Sequence, residues 1–306
     1  MSHVLVVGSL ALDTVETPFG SVQDAIGGAG IYASAAASFF SPVRLVGVVG
    51  DDYPLQALEF LESRHVDLSG VQVVSGGRSF RWSGRYQYDM NAAETLSTEL
   101  GVFAGFRPVL PQSYRSAEYV FLANITPSLQ LSVLDQVDAP RFVMADTMNF
   151  WIEGSRADLL AVLARVDMML LNDAELRQLT GTPNLTRASQ EVLAMGPSYV
   201  MVKKGEYGAT LVSSEFSINL PCYPLPDVVD PTGAGDSFAG GFIGYLARAG
   251  VSDEVHMRRA TAVATVMASR CVEKFGLAGL IATSPEDISH RYAALRSMVE
   301  LSALPG

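Results

Sequence analysis

The feature that most constrains the fold is a series of short, unbroken apolar runs, each followed by a helical pattern or a loop. Val4-Leu5-Val6-Val7, Val43–Val49, Tyr119–Leu122, Phe142–Ala145, Met168–Leu171 and Tyr199–Val202 are of this kind. Neighbouring residues of a strand point to opposite faces, so a continuously apolar run is buried on both. Parallel strands need crossover connections, and helices in those crossovers cover the faces of the sheet. Between the runs, Gly30–Phe40 is rich in alanine with no breaker until Pro42, and Leu55–Arg64 sets Ala57, Leu58 and Leu61 on one side of a helix. The expected class is α/β: a doubly wound, mostly parallel sheet with helices on both faces.

One stretch breaks this rhythm. Ser79–Tyr88 alternates aromatic and polar residues, which marks a strand with one exposed or ligand-facing side, and a second extended stretch around Thr95–Val102 can pair with it. We therefore expect one domain over residues 1–306 with a small β lid inserted at about 77–104, residues 14–26 being a further contributor.

Composition narrows the function classes. The chain has 21 basic and 32 acidic residues, a net charge of −11, and no run of Lys or Arg, which argues against nucleic-acid and anionic-membrane partners. A bound polyanion would have to be held locally, by backbone N–H groups, a few cations and a metal. Cys222 and Cys271 lie far apart and form no ligand cluster, so they are expected as free thiols. The apolar stretch from Val4 to Leu12 is too short to span a bilayer and lacks the basic flank of a signal peptide. It is read as one buried strand, and the expected location is the cytoplasm.

The most informative segment runs from Asp227 to Phe242 and contains Asp230-Pro231-Thr232-Gly233-Ala234-Gly235-Asp236. Val228 and Val229 close an extended run, Pro231 delays helix formation, and apolar residues recur at helical spacing from Ala234 to Leu246. Gly233-Ala234-Gly235 is thus expected as a small-residue turn at a helix N-terminus, where unpaired N–H groups and the helix dipole attract anions. Asp236 falls in the first helical turn, the place of an ordinary cap. Beside an anion cradle, the same carboxylate can receive the proton of a hydroxyl attacking a phosphate. The dipole is expected to keep it ionised at neutral pH.

These residues resemble the signature of the ribokinase-like (PfkB) carbohydrate kinase family, and further motifs of that family follow in order along nearly the whole chain. The resemblance implies an ATP-dependent kinase acting on a sugar-like hydroxyl, with Asp236 as base and the amides of Gly233, Ala234 and Gly235 as anion hole. It assigns acceptor hydroxyls to Asp13 and to Gly28 of the Gly27-Gly28-Ala29-Gly30 turn. Asn172-Asp173-Ala174-Glu175 matches the motif that helps hold the magnesium of the nucleotide, through water, although Asn172 and Glu175 also fit a capping box. Val202-Lys203-Lys204-Gly205 corresponds to a nucleotide-contacting strand end, with Lys203 where the family usually has Thr. ATP contacts are implied at Lys203, Gly205, Thr232 and Gly276, and a monovalent cation such as K+ at Asp230 and Thr232. Asp146 and Asn149 match a family segment only loosely.

The chain departs from the family at Tyr32, where ribokinases carry the Asn that grips sugar hydroxyls. Tyr32 and, from the lid, Trp82 are therefore the expected acceptor-facing aromatics. Sugar, sugar acid and nucleoside all remain open as acceptors, and both a monomer and a lid-mediated homodimer fit. The competing reading is a nucleotide- or sugar-binding regulator without turnover. An intact Asp236 beside the Gly233–Gly235 turn and Glu175 argues against it.

Overall fold

A computed structural model describes residues 2–300. Its strands are β1 (Val4–Val7), β2 (Ala11–Thr17), β3 (Gly20–Gly27), β4 (Val43–Gly50), β5 (Val66–Val74), β6 (Phe80–Tyr86), β7 (Ala93–Glu99), β8 (Tyr119–Leu122), β9 (Phe142–Asp146), β10 (Met168–Asn172), β11 (Tyr199–Lys203), β12 (Ala209–Val212) and β13 (Ser217–Leu220). Nine of them form one sheet in the order β13-β12-β11-β10-β9-β8-β1-β4-β5. Every pairing from β11 to β5 is parallel, and only the pairings of β12 with β11 and with β13, at one edge, are antiparallel.

Continuous apolarity has the expected cause. Val4 and Val6 of β1 belong to the core on one face, Leu5 and Val7 to the core on the other. Met168 and Leu170 divide in the same way from Met169 and Leu171. Each such side chain contributes about 1.5–3 kcal/mol when fully removed from water, so the central strands are apolar on both faces, whereas the edge strand β13 exposes Ser217 and Asn219.

The Val4–Leu12 run is not one strand. The chain leaves the main sheet at Gly8, and Ala11 opens β2 of a second, four-stranded sheet ordered β3-β2-β6-β7. The run is apolar throughout because both pieces are buried, which hid the break. The lid consequently begins at Ala11, and its register pairs Asp13 with Trp82 and Glu16 with Arg85. Leu55–Arg64 is also shorter in helix than its spacing suggests: a 3-10 turn covers Leu55–Leu58 and an α-turn Glu59–Glu62. Asp51 and Asp52 tie the end of β4 to the approach of the lid, accepting from the N–H groups of Gly76 and Ser79 at 2.5 and 2.7 Å.

Behind the site lies the helix Ala234–Ala249, packed between the helices Ala29–Ala37 and Glu254–Cys271. Gly240 rests directly on the backbone of Ala33, so any side chain there would collide with it. This explains a Gly-Gly pair inside a helix, where glycine otherwise costs about 1 kcal/mol relative to alanine. Among the described residues no helix is long and apolar enough to cross a membrane, and both cysteines are free.

Candidate active site

Three adjacent parallel strands deliver functional side chains at their C-terminal ends: Asp146 closes β9, Asn172 closes β10 and Lys203 closes β11. This edge is where open α/β sheets bind ligands, because the helices that follow point their N-termini at it. Residues 221–232 reach it without pairing into either sheet, so Val228-Val229 is not a strand. The segment is instead held by the Val229 N–H donating to the Val272 carbonyl at 2.8 Å.

Gly233 turns the chain into the helix with φ of 76°, a left-handed conformation that glycine adopts without strain. The ring of Tyr32 packs directly on Gly233, filling the space a side chain would need. Among the described residues the N–H groups of Gly233 and Gly235 find no acceptor, whereas that of Ala234 donates back to the Pro231 carbonyl at 3.1 Å. Of the three N–H groups of the turn, those of the two glycines are thus left unpaired.

Asp236 is partly buried, and among the described residues no other side chain hydrogen-bonds it. Burial raises its carboxyl, Asp146 raises it further, and Lys203 only partly offsets both, leaving it at about 6. Desolvation outweighs the helix terminus, so the shift is upward. Asp236 is still mostly ionised at neutral pH. Lys203 Nζ donates to Asp146 Oδ2 at 2.6 Å, and a side chain at Gly235 would meet Nζ at 3.2 Å. Burial opposes the ammonium, but Asp146, Glu175 and Asp236 together hold it above the usual lysine range. Lys204 points elsewhere, to Asn219 Oδ1 at 2.8 Å, so only one of the two lysines joins the site.

Asn172 and Glu175 form the capping box in full: Glu175 N–H donates to Asn172 Oδ1 at 2.8 Å and Asn172 N–H to Glu175 Oε2 at 2.7 Å. The Asn172 side-chain oxygen and backbone N–H are thus both engaged in the box. Glu175 keeps Oε1 outside the box. Burial, above all, lifts its carboxyl to about 7 despite Lys203 nearby. Asp230 is 1% exposed and accepts from Thr232 N–H with one oxygen and Gly276 N–H with the other, each at 2.9 Å. It braces one loop against the next, and the Thr232 carbonyl accepts from Cys271 Sγ at 3.4 Å.

On the acceptor side, Asp13 is 5% exposed and takes a hydrogen bond from the Gly28 backbone, next to Gly27. Burial raises its carboxyl to about 7, with Asp230 and Asp236 adding to the rise. Tyr32 is 1% exposed and lies in the hydrophobic core, so it offers no stacking face and its role is to support Gly233. Trp82 remains half-buried on the lid, its ring over Gly84 and its Nε1 donating to Thr95 Oγ1 at 3.3 Å. Tyr53, 4% exposed, has a hydroxyl with no partner and feels the charge of Asp13. Two surface cavities, of about 250 Å3 and about 360 Å3, are lined by other residues than Asp13 and Asp236, and the lid sits down over the site.

The model of the pfkB family carbohydrate kinases matches residues 1–276. The chain belongs to this family. The kinase is 29% identical to a cytidine kinase of Thermococcus kodakarensis over 253 residues, covering 81% of this chain and 90% of that one. In structure it is similar to the aminoimidazole riboside kinase of Salmonella enterica solved with aminoimidazole riboside and an ATP analogue (TM-score 0.77, 21% identity, 95% and 99% of the two chains). It is likewise similar to Arabidopsis thaliana ribokinase solved with ribose and ATP (TM-score 0.76, 24% identity, 95% and 98%). The kinase transfers phosphate from ATP to a hydroxyl of a sugar-like acceptor.

Two residues near the site were faint or silent in the sequence. Asp146 matched a family segment only loosely, and nothing in the chain shows that β9 lies beside β10 and β11; the order of strands does. Tyr53 follows the Asp51-Asp52 turn and gives no signal of its own.

Proposed function

We propose that the acceptor is a nucleoside, and that Asp236 is the base that takes the proton of its attacking hydroxyl. The observation that carries the catalytic part is a partly open, unpartnered carboxylate in the first turn of a helix whose preceding glycines present free N–H groups, with Lys203 alongside. Phosphoryl transfer asks little of the protein beyond positioning and charge stabilisation, and these groups supply both. The N–H groups of Gly233 and Gly235 and the Lys203 ammonium would take the charge of the migrating phosphoryl group. Asp13 would orient the acceptor by accepting hydrogen bonds from its hydroxyls. Gly205 and Gly276 would line the nucleotide side.

Magnesium fits the oxygen donors present. Glu175 Oε1 lies outside the capping box, and Asp146 shares the neighbourhood with it. Among the described residues no cluster of three His, Cys, Asp or Glu exists, so phosphate oxygens and water would complete the shell, as magnesium tolerates well. The ion would draw charge from the transferring phosphate; Glu175 would hold it. Glu175→Gln should raise the magnesium concentration needed for half-maximal rate, and an unchanged titration would return Glu175 to capping alone. For K+, both carboxylate oxygens of Asp230 already accept backbone N–H groups, and no step here depends on a monovalent cation.

The nucleoside reading is supported by the cytidine kinase relative, of which the chain covers 90%, and by a half-buried lid Trp82 in register with Asp13. With Tyr32 in the core, Trp82 is the aromatic left to meet a base. Assaying ADP formation with cytidine, uridine, adenosine, inosine, ribose and deoxyribose tests this. Nucleoside turnover well above that with free ribose is expected; efficient use of ribose alone would overturn it.

A further inference from the structure

The small sheet touches the nucleotide-side loops at three of its own turns and strand ends. The last residue of β6, Tyr86, sets its hydroxyl 3.4 Å from Thr232 Oγ1. Asn91, in the turn between β6 and β7, faces Gly205, where a side chain would meet Asn91 Oδ1 at 3.1 Å. A side chain at Gly20, the first residue of β3, would meet the Phe275 ring at 3.7 Å. Thr232 is the residue before Gly233, so Tyr86 holds the chain one peptide away from the cradle. Its ring is mostly enclosed, and its hydroxyl stands among Asp13, Asp230 and Thr232, between the acceptor residues and the loop.

We propose that Tyr86 is a positioning residue that couples the lid over the acceptor to the geometry of the Gly233–Gly235 cradle. This rests on the reading of those glycines as the phosphate cradle. When the lid is down, the Tyr86–Thr232 contact fixes Thr232 and with it the direction of the Gly233 N–H. When the lid lifts, Thr232 loses that partner and the cradle loosens. The arrangement ties phosphate activation to an occupied, covered acceptor site. It disfavours the side reaction in which water replaces the acceptor: water's oxygen bonds the γ-phosphorus as the β–γ bridge breaks, its proton goes to Asp236, and ADP and phosphate leave. The aromatic ring is not the working part; the hydroxyl is.

Tyr86→Phe keeps the ring and removes the hydroxyl, and Thr232→Val removes the other partner at nearly constant volume. A single hydrogen bond predicts a ~3–10-fold loss of kcat for each, with the KM of ATP little changed in Tyr86→Phe. The ratio of acceptor-free ATP hydrolysis to phosphate transfer should rise in both, and amide exchange in β6 and β7 should quicken. The double variant should be no slower than the worse single one, because both remove the same contact. Losses that multiply in the double variant, or a Tyr86→Phe enzyme with unchanged kcat and unchanged hydrolysis ratio, would overturn the coupling. A silent Tyr86→Phe beside an inactive Asp236→Asn sinks the coupling alone. An active Asp236→Asn removes the base and cradle reading on which it stands.

Discussion

Asp236→Asn is expected to lower kcat by about 10²–10⁴-fold, the scale of a lost general base, with ATP affinity kept. Asparagine preserves the size of the side chain and cannot accept the acceptor's proton. The same substitution should make the protein more stable. The carboxyl stands at about 6 in the folded chain against an ordinary 3.8, chiefly through burial. A group raised in this way binds its proton more tightly when folded, so its stabilising share is full below 3.8 and lost as pH rises through about 6. At neutral pH the ionised Asp236 therefore burdens the fold. The variant's melting temperature should exceed the wild type's at pH 7.5, and the gap should narrow towards pH 5.5. Wild-type kcat should fall over the same descent, because the protonated form is no base. Near-normal turnover in the variant under saturating substrates would remove Asp236 from the mechanism; a lower melting temperature would mean its carboxylate is stabilising after all.

The second large effect is expected at Asp13. A buried carboxylate that accepts from two acceptor hydroxyls discriminates strongly, by up to about 10⁴-fold where the site is left unpaired without them. Asp13→Ala should raise the acceptor's KM by about 10²-fold or more and leave that of ATP alone, since its hydrogen-bond partner is the Gly28 backbone on the acceptor side. Burial places its carboxyl at about 7. Protonation removes half of its capacity to accept, so the wild-type acceptor KM should worsen as pH falls below about 7. Asp13→Asn should show a raised but pH-flat KM in this range. If Asp13→Ala changes the KM of ATP and acceptor equally, the residue supports the fold of the site and does not grip the acceptor.

The sequence by itself determined the central strands of the sheet and the local turn that carries Asp236. Strands such as Met168–Leu171 were legible because burial on both faces forces every position to be apolar, and that needs no knowledge of partners. Asp230–Asp236 was legible because a local turn, a helix start and a carboxylate are set by consecutive residues. What the tertiary structure decided is what depends on distance across the chain. Only the adjacency of β9, β10 and β11 joins Asp146 to Lys203 and Glu175, and Asp236's own burial, with Asp146 adding to it, moved its carboxyl upward, against the local dipole. The break at Gly8 was invisible because strands of both sheets are buried alike there. Tyr32 carries the same ring whether it faces a ligand or a core; its place under Gly233 follows from how the helices Ala29–Ala37 and Ala234–Ala249 pack. Local pattern specifies elements and turns, while the sum of desolvation and distant charge, which sets what a carboxylate can do, exists only once the chain has closed on itself.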